Sequence, residues 1–523
     1  MTLGRAYSVA LVGLNGHLVE VEADIGQTLP AFQLLGLPDA SLVEAKERIR
    51  AAAHNSGIPL SRRKITVNLL PASLPKRGSS FDLAIVMATL RAAGDVQETG
   101  SAVFLAELGL DGRLRPIRGI LPAVLAAVRA GHPRIVVARA NVPEAGLVPG
   151  SEVEGFSSLA EVALRFGADP AELQLAALPE VDVAGVAEHD APLLDLADVA
   201  GQAEARAALE VAAAGRHHVL LVGPPGAGKT MLAERLPGLL PDLDDGQAME
   251  VTAIHSLGGL GESRTRLLRR PPFESPHHTA SMASIVGGGS GMPRPGAASR
   301  AHRGVLFLDE APEYDRRVLD ALRQPLESGE LVIHRSAGVA AYPARFQLML
   351  AANPCPCGNS AGKALDCSCT PIARRRYFGK LSGPLLDRVD IQMSVPRLSL
   401  AELAVGPSGE PTAMVACRVL AARHRASARL HQFGIGFNSE ATGQLLRGPL
   451  RLPGPVTRLV DQALDRGALT ARGYDRVLRL AWTLADLAEL AAPGPDQIGQ
   501  ALTMRSRGIA RGIRRMCGWP ARR

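Results

Sequence analysis

Two short motifs about eighty residues apart constrain this chain more than any other feature. The first motif reads GPPGAGKT and comprises Gly223, Pro224, Pro225, Gly226, Ala227, Gly228, Lys229 and Thr230. It fits the pattern of a phosphate-binding loop, and the apolar residues 218–222 before it predict the strand that feeds such a loop. The glycines would let backbone N–H groups close around phosphate oxygens. Lys229 would reach the β and γ phosphates, and Thr230 would ligate Mg²⁺.

The second motif is an apolar run, residues 305–308, that ends in Asp309 and Glu310. A buried strand that ends in two acids provides one carboxylate for the Mg²⁺ shell and a second one to polarise the attacking water. We therefore predict that Asp309 helps to bind the metal and that Glu310 is the general base. The alternative is a strand that ends in two solvated acids, which the phosphate loop upstream disfavours. Together the motifs predict a site that binds ATP and Mg²⁺ and hydrolyses the nucleotide.

The composition limits the class of protein. A chain of 523 residues is too long for one hydrophobic core and favours about three domains. No run of eighteen apolar residues occurs and the N-terminus lacks a signal-peptide pattern, so we expect a cytoplasmic protein with no membrane partner. The net charge of +7, mostly from arginine, permits nucleic acid as a partner without demonstrating it. Only 3% of residues are aromatic, so the composition predicts no stacking platform for single-stranded bases.

Four of the six cysteines form two C-x-C pairs, Cys355 with Cys357 and Cys367 with Cys369. In a reducing compartment, four thiolates across a short loop can hold one structural Zn²⁺ in tetrahedral geometry. The usual spacing is C-x-x-C, so free thiols and a redox-labile disulfide are alternatives that the spacing leaves open. The two remaining cysteines are isolated, and we expect them to be ordinary packing or surface residues.

Periodicity and composition divide the chain into successive segments. We predict an α/β domain (1–168), a linker (169–194), a nucleotide-binding core (195–398), an α-helical domain (399–503) and a basic tail (504–523). The helical domain is indicated by helix-favouring runs at 412–430 and 474–490. The arginine-rich tail could contact phosphates, but a solvated and frayed terminus explains the same composition.

A Gly- and Pro-rich segment, residues 273–295, separates the two nucleotide motifs, and we expect it to be an exposed loop or hairpin. It contains the adjacent histidines His277 and His278. Two histidines can contribute to a metal site, but no further ligands lie near them in sequence. Contacts to a substrate or to a neighbouring subunit are therefore the favoured interpretation.

Five motifs together resemble those of one family, the magnesium-chelatase-like AAA+ ATPases of the YifB/ComM type. They are SPHHTAS at 275–281, HRGVLFLDE at 302–310, LRQPLE at 322–327, NPCPCG at 353–358 and LSGPLLDRVD at 381–390. The resemblance covers nearly the whole chain. It implies an AAA+ P-loop NTPase core with a parallel sheet and an insertion hairpin before the strand that carries Asp309. A Lon-protease-like α/β domain would precede this core, and an α-helical lid would follow it.

The same resemblance implies further site residues. Asn353 resembles the sensor that orients the attacking water. Arg388 resembles the arginine finger, which a neighbouring subunit would receive at its γ-phosphate, so hydrolysis would require a homo-oligomeric ring, expected to be a hexamer. Arg472 resembles the sensor arginine of the lid, with Arg476 as the alternative. The alternative for each of these arginines is an ordinary surface ion pair that contributes little to stability.

The first domain resembles Lon-type proteases around Ser80, which falls where the nucleophilic serine would lie. Such sites use a lysine to take the serine proton, and Leu121 occupies the matching position. We therefore expect an inactive protease domain that serves as a scaffold or as a DNA-contacting platform. The nearby cations Arg62, Arg63 and Lys64 could supply phosphate contacts, although a charged loop is the ordinary explanation.

Three functions are compatible with these features. The favoured one is a ring-forming, ATP-hydrolysing motor that acts on DNA, as a branch-migration motor or helicase in recombination or DNA uptake. The second is a chelatase-like ATPase that remodels a protein partner for metal insertion into a tetrapyrrole. The first domain and the cysteine cluster argue against a simple chelatase subunit. The third is a nucleotide-gated binding module, which the intact Lys229, Glu310 and Arg388 disfavour. The DNA substrate rests on analogy with the family.

Overall fold

The computed structural model describes residues 3–27, 29–36, 40–74, 76, 78–174, 194–258, 264–289, 293–335, 338–360, 367–399, 402 and 409–506. Most of the predicted linker, residues 175–193, and most of the predicted basic tail, residues 507–523 with Cys517, lie outside these ranges. Within them, no helix is both long enough and apolar enough to cross a membrane.

The first domain is built on a seven-stranded mixed sheet with the order β3-β4-β2-β1-β5-β8-β9. The strands of this domain are β1 Gly4–Val12, β2 Asn15–Gly26, β3 Phe32–Leu35, β4 Lys64–Leu70, β5 Val103–Leu105, β6 Glu107–Leu108, β7 Leu114–Arg115, β8 Arg134–Ala138 and β9 Glu152–Phe156. Its helices are α1 Ala40–Asn55, α2 Asp82–Ala93, α3 Ile120–Arg129, α4 Val142–Ala145 and α5 Leu159–Arg165. Helix α2 is apolar on nearly every side and is correspondingly buried from Asp82 to Leu90.

The nucleotide-binding core contains a five-stranded parallel sheet with the order β11-β14-β17-β10-β18. Its strands are β10 Val219–Val222, β11 Phe273–Glu274, β14 Val305–Leu308, β17 Gln347–Ala352 and β18 Ile391–Ser394. Its helices are α6 Ala203–Gly215, α7 Lys229–Ala233, α8 Asp245–Gly258, α9 Met282–Ile285, α10 Ala297–Arg300, α11 Arg316–Ala321, α12 Arg323–Ser328, α13 Pro371–Phe378 and α14 Gly383–Leu386. The three central strands are buried along their whole length, as expected for a parallel sheet covered on both faces.

Two hairpins project from this core, and only one of them was predicted. The expected insertion before β14 is a short ladder of β12 Gly287–Gly288 with β13 Arg294–Pro295. A longer hairpin of β15 Glu330–Arg335 with β16 Gly338–Pro343 follows β14 in the chain. The segment 273–295 is also less exposed than predicted, because its first residues join the sheet as β11 and Ile285 is fully buried.

The last part of the described chain is helical, with α15 Thr412–Leu430, α16 Gly443–Arg447, α17 Gly454–Asp465, α18 Ala471–Leu487 and α19 Pro495–Ser506. Helix α15 has the predicted bounds, whereas α18 begins and ends three residues before the predicted 474–490. The earlier start has a local cause, because the side chain of Thr470 caps the helix by accepting a hydrogen bond from the Gly473 N–H.

A buried polar network joins the helical region to the core sheet. His217 lies just before β10, and its ring nitrogens contact Asp390 Oδ2 at 3.0 Å and Thr483 Oγ1 of α18 at 2.8 Å. Arg476 of the same helix pairs with the other oxygen of Asp390. The expected α/β class, with a parallel sheet in the core and helices after it, is confirmed.

Candidate functional site

The phosphate loop follows β10 directly, at the carboxyl edge of the central sheet. Gly226 and Gly228 have φ angles of +75° and +87°, a region that side chains with a Cβ rarely adopt, so the loop requires glycine at both positions. Gly223 is required for a different reason, because a Cβ there would lie 2.2 Å from the Val395 carbonyl oxygen. Helix α7 begins at Lys229, so its N-terminal end faces the loop.

Lys229 lies inside the loop with only 8% of its surface exposed. Its Nζ donates to the carbonyl oxygens of Gly223 at 2.7 Å and Pro224 at 3.0 Å, and to Asn353 Oδ1 at 3.1 Å. Burial lowers the pKa of this amine, while the nearby carboxylates of Asp309 and Glu310 oppose the shift. The ammonium group is therefore positioned where phosphate oxygens can replace neutral carbonyl oxygens as its partners.

The two predicted metal ligands, Thr230 and Asp309, are in contact with each other. Thr230 Oγ1 donates to Asp309 Oδ2 at 2.6 Å, so a hydroxyl from the start of α7 meets a carboxylate from the end of β14. Oxygen ligands of these two types suit Mg²⁺, which would bind between them and the nucleotide phosphates. The residues present thus fit the ion that the sequence predicts.

Glu310 is held in an unusual backbone conformation beside this pair. Its φ angle is +49°, which is uncommon for a residue other than glycine, and its N–H donates to Asp309 Oδ1 at 2.8 Å. The turn directs the neighbouring acids to different partners, because Asp309 contacts Thr230 whereas Glu310 Oε2 lies 3.1 Å from His278 Nδ1. The SPHHTAS segment thus reaches the predicted general base.

Asn353 completes the group that the sequence predicted at the sheet edge. It follows β17, which pairs with both β10 and β14, so the carboxyl ends of these three strands lie side by side. Lys229, Thr230, Asp309, Glu310 and Asn353 therefore lie along one edge of the sheet, where α/β folds commonly bind nucleotides.

The four cysteines next to Asn353 converge. The sulfur of Cys355 lies 3.3 Å from that of Cys357 and 3.6 Å from that of Cys367, and all four sulfurs lie within 4.8 Å of one another. Four thiolates at about 2.3 Å from one Zn²⁺ are roughly 3.8 Å apart, so the donor set fits a tetrahedral metal. The same loop packs on the phosphate loop, because a Cβ added to Gly358 would lie 2.5 Å from Pro225 Cδ.

The predicted arginine finger, Arg388, and the predicted lid sensor, Arg472, do not lie at the phosphate loop of their own subunit. Arg388 pairs with Glu327 and donates to the Pro384 carbonyl, and Arg472 Nη1 lies 3.6 Å from Asp387. Both line a cavity of about 300 Å³ whose lining residues all come from outside the phosphate loop: Leu326, Glu327, Asp387, Arg388, Arg472, Asp475, Arg476 and Arg479. Burial, together with three neighbouring arginines, lowers the pKa of Arg388. The cavity is lined by four arginines and three carboxylates, so its charges are largely balanced within the subunit.

In the first domain, Ser80 is partly buried and Leu121 is fully buried in the first turn of α3. Leu121 is part of an apolar cluster with Ile120 and Val124. A core leucine offers no proton acceptor, and the inactivity of this domain as a protease stays a prediction.

The sequence of the chain is similar to known proteins over most of its length. Family models described as magnesium chelatase, subunit ChlI, and as its C-terminal part match residues 195–403 and 409–505, and a model described as subunit ChlI of Mg-chelatase matches 21–141. Competence protein ComM from Haemophilus influenzae is 40% identical over 490 residues, which are 93% of this chain and 94% of that protein. The chain belongs to the YifB/ComM family of magnesium-chelatase-like AAA+ ATPases.

Two further similarities agree with membership of the YifB/ComM family. The uncharacterized protein Rv2897c from Mycobacterium tuberculosis is 50% identical over 515 residues, 98% of this chain and all of that protein. A Lon protease from Mycolicibacterium smegmatis is 28% identical over 159 residues, 29% of this chain and 20% of the protease. For the YifB/ComM family, ATP and Mg²⁺ are the implied ligands of the site at the sheet edge.

Two contributors to this site were not predicted from the sequence. His278 was noticed only as one of two adjacent histidines, and nothing in the sequence linked it to Glu310. Gln202, which precedes α6, donates from Nε2 to the carbonyls of Pro396 at 2.7 Å and Ala227 at 3.3 Å, and so ties the phosphate loop to the chain after β18. No local motif marks this glutamine, because its partners are distant in sequence.

Proposed function

We propose that this YifB/ComM-family chain is a ring-forming, ATP-driven motor that acts on DNA as a branch-migration motor or helicase. The observation that carries the proposal is the separation of Arg388 from the phosphate loop. Lys229, Thr230, Asp309 and Glu310 share one sheet edge, while Arg388 lines a cavity formed by other residues. An arginine finger on a separate surface serves the nucleotide of a neighbouring subunit, which requires assembly into a ring, expected to be a hexamer.

In this mechanism each side chain has one task. Lys229 would contact the β and γ phosphates, and Thr230 with Asp309 would hold Mg²⁺, which would supply positive charge to the phosphates. Glu310 accepts the proton of the water that attacks the γ-phosphate, and Asn353 orients that water. Arg388 of the neighbour neutralises the charge that develops in the transition state, while Arg472 senses the nucleotide from the lid.

DNA is proposed as the substrate from two supporting facts. The chain carries a net charge of +7, to which arginine contributes most of the positive charge, and it is 40% identical to a competence protein over nearly its whole length. A motor that follows the phosphate backbone needs positive charge more than aromatic platforms, which agrees with an aromatic content of 3%.

The test is a Glu310→Gln variant assayed for ATP binding and for displacement of strands from a four-way junction. The amide keeps the shape of the side chain but cannot accept the proton, so we expect binding and assembly to be retained and displacement to be lost. Normal displacement by Glu310→Gln would exclude Glu310 as the base.

A chelatase-like ATPase that remodels a protein client is the second candidate. It is favoured by the family models for magnesium chelatase subunit ChlI, which together match most of the chain after residue 195. The two functions differ in what accelerates hydrolysis: DNA in the first, and a protein client in the second.

We also propose that Cys355, Cys357, Cys367 and Cys369 hold one structural Zn²⁺. The close approach of the four sulfurs supports this proposal over separate free thiols. Metal analysis of the purified protein is expected to find about one Zn²⁺ per chain. A metal-free protein with unchanged thermal stability would contradict it.

A further inference from the structure

The four-cysteine cluster places thiols that solvent can reach beside thiols that can react with them. Cys357, Cys367 and Cys369 are partly exposed, whereas Cys355 is buried. The sulfur of Cys357 lies 3.6 Å from that of Cys367, which comes ten residues later in the chain. An accessible thiol next to a second thiol is the usual arrangement at sites of reversible oxidation. The cluster therefore has the geometry of a reactive pair as well as that of a metal site.

The cluster joins two elements that reach the catalytic edge. Its first C-x-C pair begins two residues after Asn353, whose Oδ1 accepts from Lys229 Nζ at 3.1 Å. Its second pair leads directly into α13, because Thr370 caps this helix by accepting from the Ala373 N–H at 3.2 Å. Four sulfurs held together thus link the end of β17 to the start of α13.

Helix α13 in turn packs against the end of β17. Its Tyr377 is buried, and the phenol forms a hydrogen bond with the backbone of Asn353. Its Arg374 donates from Nε to the Cys369 carbonyl at 3.2 Å. Gly358, which follows the first pair, packs on the phosphate loop. The position of Asn353 and of the phosphate loop therefore depends in part on an intact cluster.

We propose that Cys357 and Cys367 form a site of reversible oxidation by hydrogen peroxide, and that their disulfide weakens ATP binding. The proposal rests on the proposed function, since it assigns regulation to the same nucleotide site. Cys357 is the accessible thiol that the peroxide attacks, and Cys367 is the thiol that resolves the product. The metal form and the disulfide form are then alternative states of one cluster, because a metal that loses two of its four thiolates is no longer held tetrahedrally.

The chemistry balances with one peroxide. The Cys357 thiolate attacks the peroxide, so an S–O bond forms, the O–O bond breaks, and the departing hydroxide takes a proton to become water. The Cys367 thiolate then attacks the Cys357 sulfur, so the S–S bond forms, the S–O bond breaks, and a second hydroxide leaves as water. The two thiolates lose two electrons, and the peroxide with two protons gives two waters. A thiol reductant reverses the change by exchange with the disulfide.

The test uses the full chain with Cys417→Ser and Cys517→Ser, which leaves only the four cysteines of the cluster out of six. After treatment with hydrogen peroxide, peptide mapping by mass spectrometry should find a disulfide between Cys357 and Cys367. The treated protein should release its Zn²⁺ and bind ATP about threefold to tenfold more weakly by titration. A thiol reductant with added Zn²⁺ should restore the affinity.

Cys367→Ser in the same background removes the resolving thiol. Peroxide should then leave Cys357 as a sulfenic acid, which dimedone traps as a defined mass increase on that residue. The lone exposed Cys417 of the wild-type chain serves as the reference thiol. Cluster cysteines that stay reduced at a peroxide concentration that oxidises Cys417 would overturn the proposal, and so would a disulfide that leaves ATP affinity unchanged.

These readouts separate the oxidation site from the other proposals. Neither disulfide mapping nor ATP affinity depends on DNA, so a failure of the proposed DNA substrate leaves the test intact. If the purified protein holds no Zn²⁺, the structural metal is excluded, while the disulfide and its effect on ATP affinity still decide whether Cys357 and Cys367 form an oxidation site.

Discussion

Lys229 illustrates how far single residues could be predicted. Two of its oxygen partners, on Gly223 and Pro224, belong to its own loop, so the motif alone was sufficient to place the amine near phosphate. Its third partner, Asn353, follows strand β17 and lies 124 residues later in the chain. The family resemblance predicted Asn353 as a sensor for the attacking water, but no local pattern predicts its contact with Lys229. The bond between His278 and Glu310 was not predicted for the same reason.

His218 gives a residue-level prediction about pH. Burial lowers the pKa of His218 to about 4, and its Nδ1 accepts from the Leu348 N–H at 3.0 Å, so the folded protein holds the ring neutral. The unfolded chain takes up this proton near its ordinary pKa of about 6.5. The neutral ring of His218 therefore contributes fully to the stability of the folded protein above about pH 6.5. This contribution is lost as the pH falls towards 4.

The measurement is thermal unfolding of wild type and His218→Asn at pH 7.5 and at pH 5. Because the ring is not fully enclosed, we expect the stability advantage of wild type to shrink by about 1 to 2 kcal/mol at the lower pH. The exposed His431 serves as the control for replacing a histidine by asparagine, through His431→Asn measured at the same two pH values. An advantage of His218 that is constant between the two pH values would contradict the prediction.

The cysteine loop shows how one element can support another. Its Gly358, with φ at +78°, packs against Pro225, and Cys355 lies two residues after Asn353. If a metal fixes this loop, its loss should loosen the phosphate loop as well. We expect Cys355→Ser to lower the zinc content and to weaken ATP binding by about threefold to tenfold, equivalent to about 1 kcal/mol.

The matched control is Cys417→Ser, which changes an exposed cysteine that lies outside the cluster. Zinc content by elemental analysis and ATP affinity by titration should both equal those of wild type in this variant. A Cys355→Ser protein with normal zinc content would show that Cys355 is not a metal ligand. A variant without zinc but with normal ATP affinity would show that the metal does not support the phosphate loop.

Elements with strong periodicity were predicted better than short or mixed ones. Helix α15, with nineteen residues, has the predicted bounds, and the apolar strands β10 and β14 lie where their motifs placed them. The β15–β16 hairpin was missed because its sequences, ELVIHR and GVAAYP, alternate only weakly between apolar and polar residues, although the burial of the strands does alternate. Its burial depends on Tyr342 and Ile333 packing against distant parts of the chain, including Leu14 of the first domain.

The arrangement of active subunits can be tested by mixing two defective chains. Lys229→Ala lacks a nucleotide site but keeps Arg388, whereas Arg388→Ala keeps the site but lacks the finger. Each alone should hydrolyse ATP at background rate. In an equal mixture roughly a quarter of the sites combine an intact phosphate loop with a neighbouring finger, so turnover should recover to about that fraction of wild type.

This recovery requires contact between subunits, so it should disappear when the two variants are held in separate chambers of a dialysis cell. Full activity of Arg388→Ala alone, or no recovery in mixed rings of normal size, would show that the finger does not act across an interface. The sequence could suggest this role only by resemblance, because the receiving surface belongs to another copy of the chain.

The central claim is that DNA engagement drives ATP hydrolysis by the assembled protein. It is tested most directly by steady-state ATP turnover of the wild-type chain without DNA and with single-stranded, duplex and four-way-junction DNA, at one fixed moderate salt concentration because basic proteins bind DNA in a salt-dependent manner. We expect strong stimulation, largest with the junction, and background turnover by Glu310→Gln in every condition. Turnover that is the same with and without every DNA would contradict the account and would favour a protein client.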